Sequence, residues 1–319
     1  MSFSFQDAQH VKTYLRLALH GPSGAGKTMS ALRIARGLVG PDGIIGLIDT
    51  ERGSAALYAA STPIDGRPIV FRHGVLTPPF HPNRYCEAIN AAAASGIDCL
   101  IIDSLSHAWA GEGGALELKD AAAAKRKGDS FAAWQDVTPL QQRLVDTILS
   151  YPGHVIATMR AKQAYVMTET TEDGRRRTKI EKAGMAPIQR DDLEYEFSIV
   201  GAFDQDSNLT FTKTRLAALS GLVVAKPSEQ FGEALAAWLN EGEGEAVESL
   251  LPVTPQVRAK SLLDRAATLD DARKELVKKW AAERGIDKLT PAAVALHPAL
   301  MDALSDWMAH GAQLQQETA

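Results

Sequence analysis

Eight consecutive residues, Gly21, Pro22, Ser23, Gly24, Ala25, Gly26, Lys27 and Thr28, have the types and spacing of a phosphate cradle. Glycines without a Cβ let backbone N–H groups turn inward onto a phosphate chain, and a helix that starts at the end of the loop adds its positive dipole end. Lys27 is expected to reach the β and γ phosphates, and the Thr28 hydroxyl to bind Mg2+. The common use of such a loop is to bind ATP or GTP with magnesium. A site of this kind needs an acid for the shell of the metal. Leu100, Ile101 and Ile102 deliver Asp103 to the end of an apolar strand, which makes it the first choice, acting on Mg2+ through water. Asp49 ends another apolar strand and is the rival, its other role being to cap the turn that follows. Hydrolysis also needs a group that activates water. Ser104 rather than a glutamate follows Asp103, so the nearest candidate base is Glu51.

These groups can meet only if strands carry them to one edge of a sheet. Tyr14 to Leu19 predicts a strand running into the loop and Thr28 to Leu38 the helix after it, the order that the motif requires. Strands are expected at Ile44 to Asp49, Pro68 to Arg72, Cys99 to Leu105 and His154 to Ala161, with an alanine-rich helix at Asn83 to Ser95. The stretch from His107 to Ser150 predicts two helices broken near Lys127, Gly128 and Asp129. Tyr165 to Thr168 and Thr178 to Glu181 flank a charged turn as a mobile hairpin. Leu193 to Phe203 and Leu209 to Thr214 read as an antiparallel pair, and Ser228 to Leu239 as a helix capped by Ser228. The expected fold class is therefore α/β, a P-loop NTPase core with a mixed, mainly parallel sheet over residues 1–241. A Glu- and Gly-rich linker, residues 242–254, and a small helical C-terminal domain, residues 255–319, follow. Trp280, Leu300 and Trp307 of that domain read as core residues.

Composition leaves this reading open. The 319 residues are 45% hydrophobic and 23% charged, as in ordinary globular proteins, and the formal net charge of -5 argues against a protein coated in nucleic acid. Cys86 and Cys99 have no metal-type spacing, and Cys99 opens an apolar run as a buried thiol. No stretch approaches the ~18 apolar residues of a membrane helix, so the expectation is a cytoplasmic protein with no membrane partner.

The segment from Asp49 to Ala59 resembles the RecA family, whose second strand ends in a segment carrying a catalytic glutamate and an adenine-stacking tyrosine. The resemblance implies that Glu51 activates water and that Tyr58 is the adenine platform, with Ala55 standing where the family has a second aspartate. Leu209 to Arg215 is similar to the late RecA strand whose paired basic residues reach the nucleotide of the next subunit. Lys213 and Arg215 are thereby implied as trans-acting fingers, and a homo-oligomer, ring or filament, as the active form. Thr158 or Arg160 stands where the family has a polar sensor. Residues 181–197, after a basic hairpin, are similar to phage-encoded RecA-like ATPases, the Sak-type single-strand annealing proteins. That likeness covers about Lys12 to Lys226 and implies a recombination role and phage or prophage origin. It also makes a single-strand DNA-binding protein a possible partner.

Charge placement points the same way. Between Arg160 and Arg190 there are eight basic residues, among them Arg175, Arg176, Arg177, Lys179 and Lys182, against four acids, in a chain that is acidic as a whole. Lys125, Arg126 and Lys127 form a second basic cluster. Both suit the phosphate backbone of single-stranded DNA. The leading expectation is an ATP-dependent, oligomeric, DNA-stimulated recombination or annealing ATPase. The alternatives are another P-loop DNA motor or loader, and a small-molecule kinase with Arg175 to Arg177 as its lid cluster.

Overall fold

A computed structural model describes residues 13–59, 63–64, 67–172 and 175–241, together with residues 263, 278, 279, 282 and 290; over 164–184 it describes the backbone alone. The chain divides into two compact units, residues 1–221 with 226–251, and residues 222–225 with 252–319. The first unit contains strands β1 (Arg16–Gly21), β2 (Ile45–Asp49), β3 (Pro63–Ile64), β4 (Arg67–Pro68), β5 (Arg72–Val75), β6 (Cys99–Asp103), β7 (His154–Glu172), β8 (Arg175–Pro187), β9 (Ile199–Phe203) and β10 (Asn208–Thr214). Its helices are α1 (Lys27–Val39), α2 (Pro82–Ala94), α3 (Ser106–Ala110), α4 (Ala115–Lys125), α5 (Ser130–Leu149) and α6 (Glu229–Glu241). Of the second unit, the strand Val223–Ala225 is described; the expected linker and almost all of the expected C-terminal domain lie outside the described residues.

The main sheet runs in the order β10-β9-β1-β7-β6-β2-β5. β1 lies parallel to β7 and β9, β6 parallel to β7 and β2, and β2 parallel to β5, while β10 pairs antiparallel with β9. The sheet is mixed and mainly parallel, and the fold is the α/β fold of a P-loop NTPase core. The middles of its central strands are mostly apolar because both faces are covered, with polar residues toward their ends. Ala18, Leu100, Ile102, Val155 and Ala157 share one buried cluster with Tyr85 and Ile89 of α2 and Leu144 and Ile148 of α5. Alternation sends Leu17, Leu19, Ile101 and Ile156 to the other face, all fully buried.

Two contacts brace the ends of these layers. Arg16, almost wholly buried, donates to the carbonyls of Leu149 (2.8 Å), Tyr151 (2.6 Å) and Gly153 (2.7 Å), tying the start of β1 to the carbonyl end of α5. α1 and α6 meet glycine to backbone: a Cβ on Gly37 would lie 1.8 Å from the Glu229 carbonyl oxygen, and one on Gly232 would lie 2.2 Å from that of Ile34. Arg33 on α1 closes the crossing with a forked pair to Glu229, 2.7 Å at its shortest.

The structure departs from the sequence reading in four places. The strand expected at Pro68 to Arg72 is instead β5, at Arg72–Val75. All four of its residues are exposed at the end of the sheet order, so no apolar run marks it. Arg67–Pro68 pairs with Pro63–Ile64 in a separate two-stranded ribbon. The region 107–150 breaks near Lys127 as expected, but a short α3 precedes the two longer helices. Leu193–Glu196 is a 3-10 turn, and the strand begins only at Ile199. β7 continues far beyond Ala161 and pairs with β8 from Ala161↔Pro187 out to Glu172↔Arg175.

Candidate nucleotide site

The loop leaves β1 at Gly21, where any Cβ would press to 2.8 Å on Phe203. Gly24 (φ 79°) and Gly26 (φ 76°) adopt left-handed backbone that L side chains rarely tolerate, and α1 starts directly after Gly26. The Lys27 ammonium donates to the loop's own carbonyls, Gly21 (3.1 Å) and Pro22 (2.7 Å). Burial lowers the Lys27 pKa, against the pull of Asp103 and Glu51.

Asp103, 4% exposed, stands beside the first turn of α1. It accepts a hydrogen bond from Thr28 (2.6 Å) through one carboxylate oxygen and one from Thr158 on β7 through the other. Burial raises its pKa, and the two threonine hydroxyls pull it back. A hydroxyl and a carboxylate already in contact are hard oxygen donors of the kind Mg2+ takes, with the rest of its shell from nucleotide and water. Among the described residues no cluster of three or more His, Cys, Asp or Glu could hold a metal.

The rival acid, Asp49, is fully buried and committed elsewhere. One of its oxygens accepts from the Glu51 N–H (2.6 Å); the other accepts from the Ala55 N–H (2.9 Å) and lies 3.1 Å from His73 Nε2. Asp49 therefore shapes the turn that presents Glu51 and leads into the 3-10 turn Ser54–Tyr58, at whose end Tyr58 is half-buried. The Glu51 carboxylate is held by Arg160, whose Nε (3.0 Å) and terminal N–H (2.9 Å) both donate to the same oxygen.

Behind this edge runs a polar seam that the sequence reading missed. Thr50 accepts from the Ser104 N–H (2.8 Å), joining the ends of β2 and β6, and its hydroxyl is hydrogen-bonded with His107 Nδ1 (2.7 Å). The His107 ring stacks on Phe80 at 4.9 Å, and burial lowers its pKa. His20, next to Gly21, is also buried, with its Nδ1 unpartnered. Burial and then the neighbouring Lys27 push its pKa down to about 4, so it stands neutral at pH 7. The one available signal was the abrupt appearance of polar residues at the ends of otherwise apolar strands.

A family model described as an AAA domain matches residues 13–222. The chain belongs to this AAA domain family. No curated protein matches it. As a member of the family it carries an ATP-hydrolysing, P-loop ATPase-type domain, whose nucleotide is typically held with Mg2+.

The other candidate residues fall into three places. Lys213 is not a free cation: its ammonium donates to the carbonyls of Glu194 (3.0 Å), Tyr195 and Phe197 (2.7 Å) and lies 5.7 Å from the Tyr195 ring centroid. Arg215, one residue past β10, is exposed. A register shift between Phe211 and Lys213 interrupts the simple alternation expected of that strand. Lys125, Arg126 and Lys127 are exposed where α4 gives way to α5, with Arg126 paired to Asp136 at 2.8 Å. Beside them Phe131 is 90% exposed, which the sequence reading also missed. Arg175, Arg176, Arg177, Lys179 and Lys182 lie along the backbone of β8, their side chains outside the described residues. No described helix is long and apolar enough to cross a membrane.

Proposed function

We propose that the chain hydrolyses ATP to ADP and phosphate as an oligomer on single-stranded DNA. The setting is recombination or annealing, as in the phage Sak-type ATPases that its sequence resembles. The observation that carries this reading is the path of β7. It passes Thr158 at Asp103 and Arg160 at Glu51, then continues without a break into the ribbon with β8, the most basic segment of the sequence. One strand thus joins the nucleotide site to a surface suited to a phosphate backbone. The exposed Phe131 beside Lys125 and Lys127 adds a ring on which a base can stack.

In the reaction, water attacks the γ phosphorus while the bond from that phosphorus to the bridging oxygen of ADP breaks, and Glu51 takes the proton of the water. Magnesium, when bound, neutralises charge on the β and γ phosphates. Lys27 and the loop N–H groups hold the phosphates, and Tyr58 provides the base platform. Arg215 reaches the transferring phosphoryl of a neighbouring subunit; Lys213 joins it only after leaving its three carbonyls. A single-strand DNA-binding protein is a further partner.

Anisotropy of a labelled thymine oligonucleotide tests the DNA part. The wild-type chain is expected to bind with an affinity that falls steeply with salt, and a triple variant, R175E with R176E and R177E, to lose DNA but keep ATP. Equal binding by the variant, or none by wild type, contradicts the reading.

A further inference from the structure

We infer that copies of the chain join head to tail, the turn Leu193–Glu196 of one copy seating Tyr195 against Arg52 and Leu57 of the next. The inference rests on the reading that the active form is a homo-oligomer. The parallel strands set where the two surfaces lie. β1 runs from Arg16 to Gly21 at the glycine loop, and β9 starts level with its beginning, Leu17↔Ile199. The Ser198 N–H donates to the Arg16 carbonyl (2.8 Å) and the Arg215 N–H to that of Ser198 (3.2 Å), so the turn and Arg215 stand at the amino edge of the sheet. Arg52 and Leu57 follow β2 at the carboxyl edge, where the loop also lies. The six residues of β1 hold the two edges about 17 Å apart. Arg215 is thus out of reach of its own loop, and a copy stacked amino edge to carboxyl edge brings it to the loop of the next.

Both surfaces are exposed and held in shape. Tyr195 is 70% exposed, on a turn pinned by the buried Leu193 and Phe197. The Lys213 ammonium braces it further, donating to the Glu194, Tyr195 and Phe197 carbonyls and lying 5.7 Å from the ring centroid. A ring fixed in this way has little freedom left to lose on docking, which suits an anchor at the centre of an interface. Asp191, Asp192 and Glu196 are exposed around it. On the opposite edge Leu57 is 77% exposed, with Ala56 and Ala59 exposed beside it and the exposed Arg52 leading into its turn. The acidic rim therefore meets an arginine and the ring meets a leucine. Each copy gives one face and takes the other, a heterologous contact that closes into a ring or runs on as a filament. The occupant is a second copy because the seating that covers Tyr195 also carries Arg215, on the same edge, toward the nucleotide held beside Tyr58.

Light scattering of the full chain with a non-hydrolysable ATP analogue tests this for Tyr195→Ala and Leu57→Ser, each alone and the two mixed. Each variant lacks one face and is expected to dissociate at concentrations about tenfold or more above those that dissociate wild type, with an unchanged melting temperature. Arg52→Glu should show the same loss through charge alone, and Arg52→Lys should assemble. An equimolar mixture of Y195A and L57S is expected to stop at the heterodimer, since one still offers Leu57 and the other still offers Tyr195. Variants that assemble as wild type does overturn the inference, as does a mixture that stays monomeric or grows past the dimer. A wild-type chain that is itself a monomer overturns the oligomer reading and the inference with it; an oligomeric wild type with unaffected variants overturns the inference alone.

Discussion

At the scale of single residues, the site sets buried charge against a few well-placed donors. Asp103 holds its proton more tightly in the fold than in the unfolded chain, since burial outweighs the two threonine hydroxyls. The folded chain thus keeps that proton at pH values where the unfolded chain has lost it, and stability falls as pH rises above the ordinary aspartate value of about 3.9. Asp103→Asn removes this penalty. In the absence of nucleotide its melting temperature should gain on wild type as pH is raised from about 4 to 7, while magnesium-dependent turnover drops by about two orders of magnitude or more. His20 has the opposite sense. Its folded pKa of about 4 lies below the ordinary 6.5, so the unfolded chain binds the proton first and stability falls as pH drops between those values. Urea titrations of His20→Met should show that loss reduced, by about 3 kcal/mol at most over the window. A variant with the same acid slope as wild type contradicts the assignment.

At the scale of elements, the α1–α6 crossing carries the tightest steric demand. α1 is the helix that begins at the loop, and Gly37 lets the backbone of α6 lie directly on it. Gly37→Ala should force the helices apart, cost about 1–3 kcal/mol and lower the thermal midpoint; an unchanged midpoint contradicts the geometry. Neither this crossing nor its Arg33–Glu229 clamp is legible in the sequence, because a glycine inside a helical pattern does not name what it touches. What was legible followed from strong local physics. The glycine loop between a buried strand and a helix, and Asp103 at the end of Leu100-Ile101-Ile102, depend on neighbours in the chain. β5 was misplaced because an exposed edge strand has no apolar alternation to read. The different partners of Asp49 and Asp103 needed coordinates, since both residues end apolar strands. The engagement of Lys213 depends on carbonyls 16 to 19 residues away, which spacing along the strand does not reveal.

At the scale of the whole molecule, the chain is acidic overall, with local clusters of basic residues on the ribbon and at the α4–α5 corner. On the proposed reading the site is complete only between subunits. Arg215→Ala and Glu51→Gln subunits, each inactive alone, should then recover activity when mixed, because one supplies Glu51 and the other Arg215 to a shared site. No recovery, or full activity in a monomer measured by light scattering, contradicts the shared site. The most direct measurement of the central claim is the steady-state rate of magnesium-dependent ATP hydrolysis with and without single-stranded DNA, with Lys27→Ala as control. The predicted result is a rate raised several-fold by DNA and abolished in the variant. A wild-type rate that DNA does not change would contradict it.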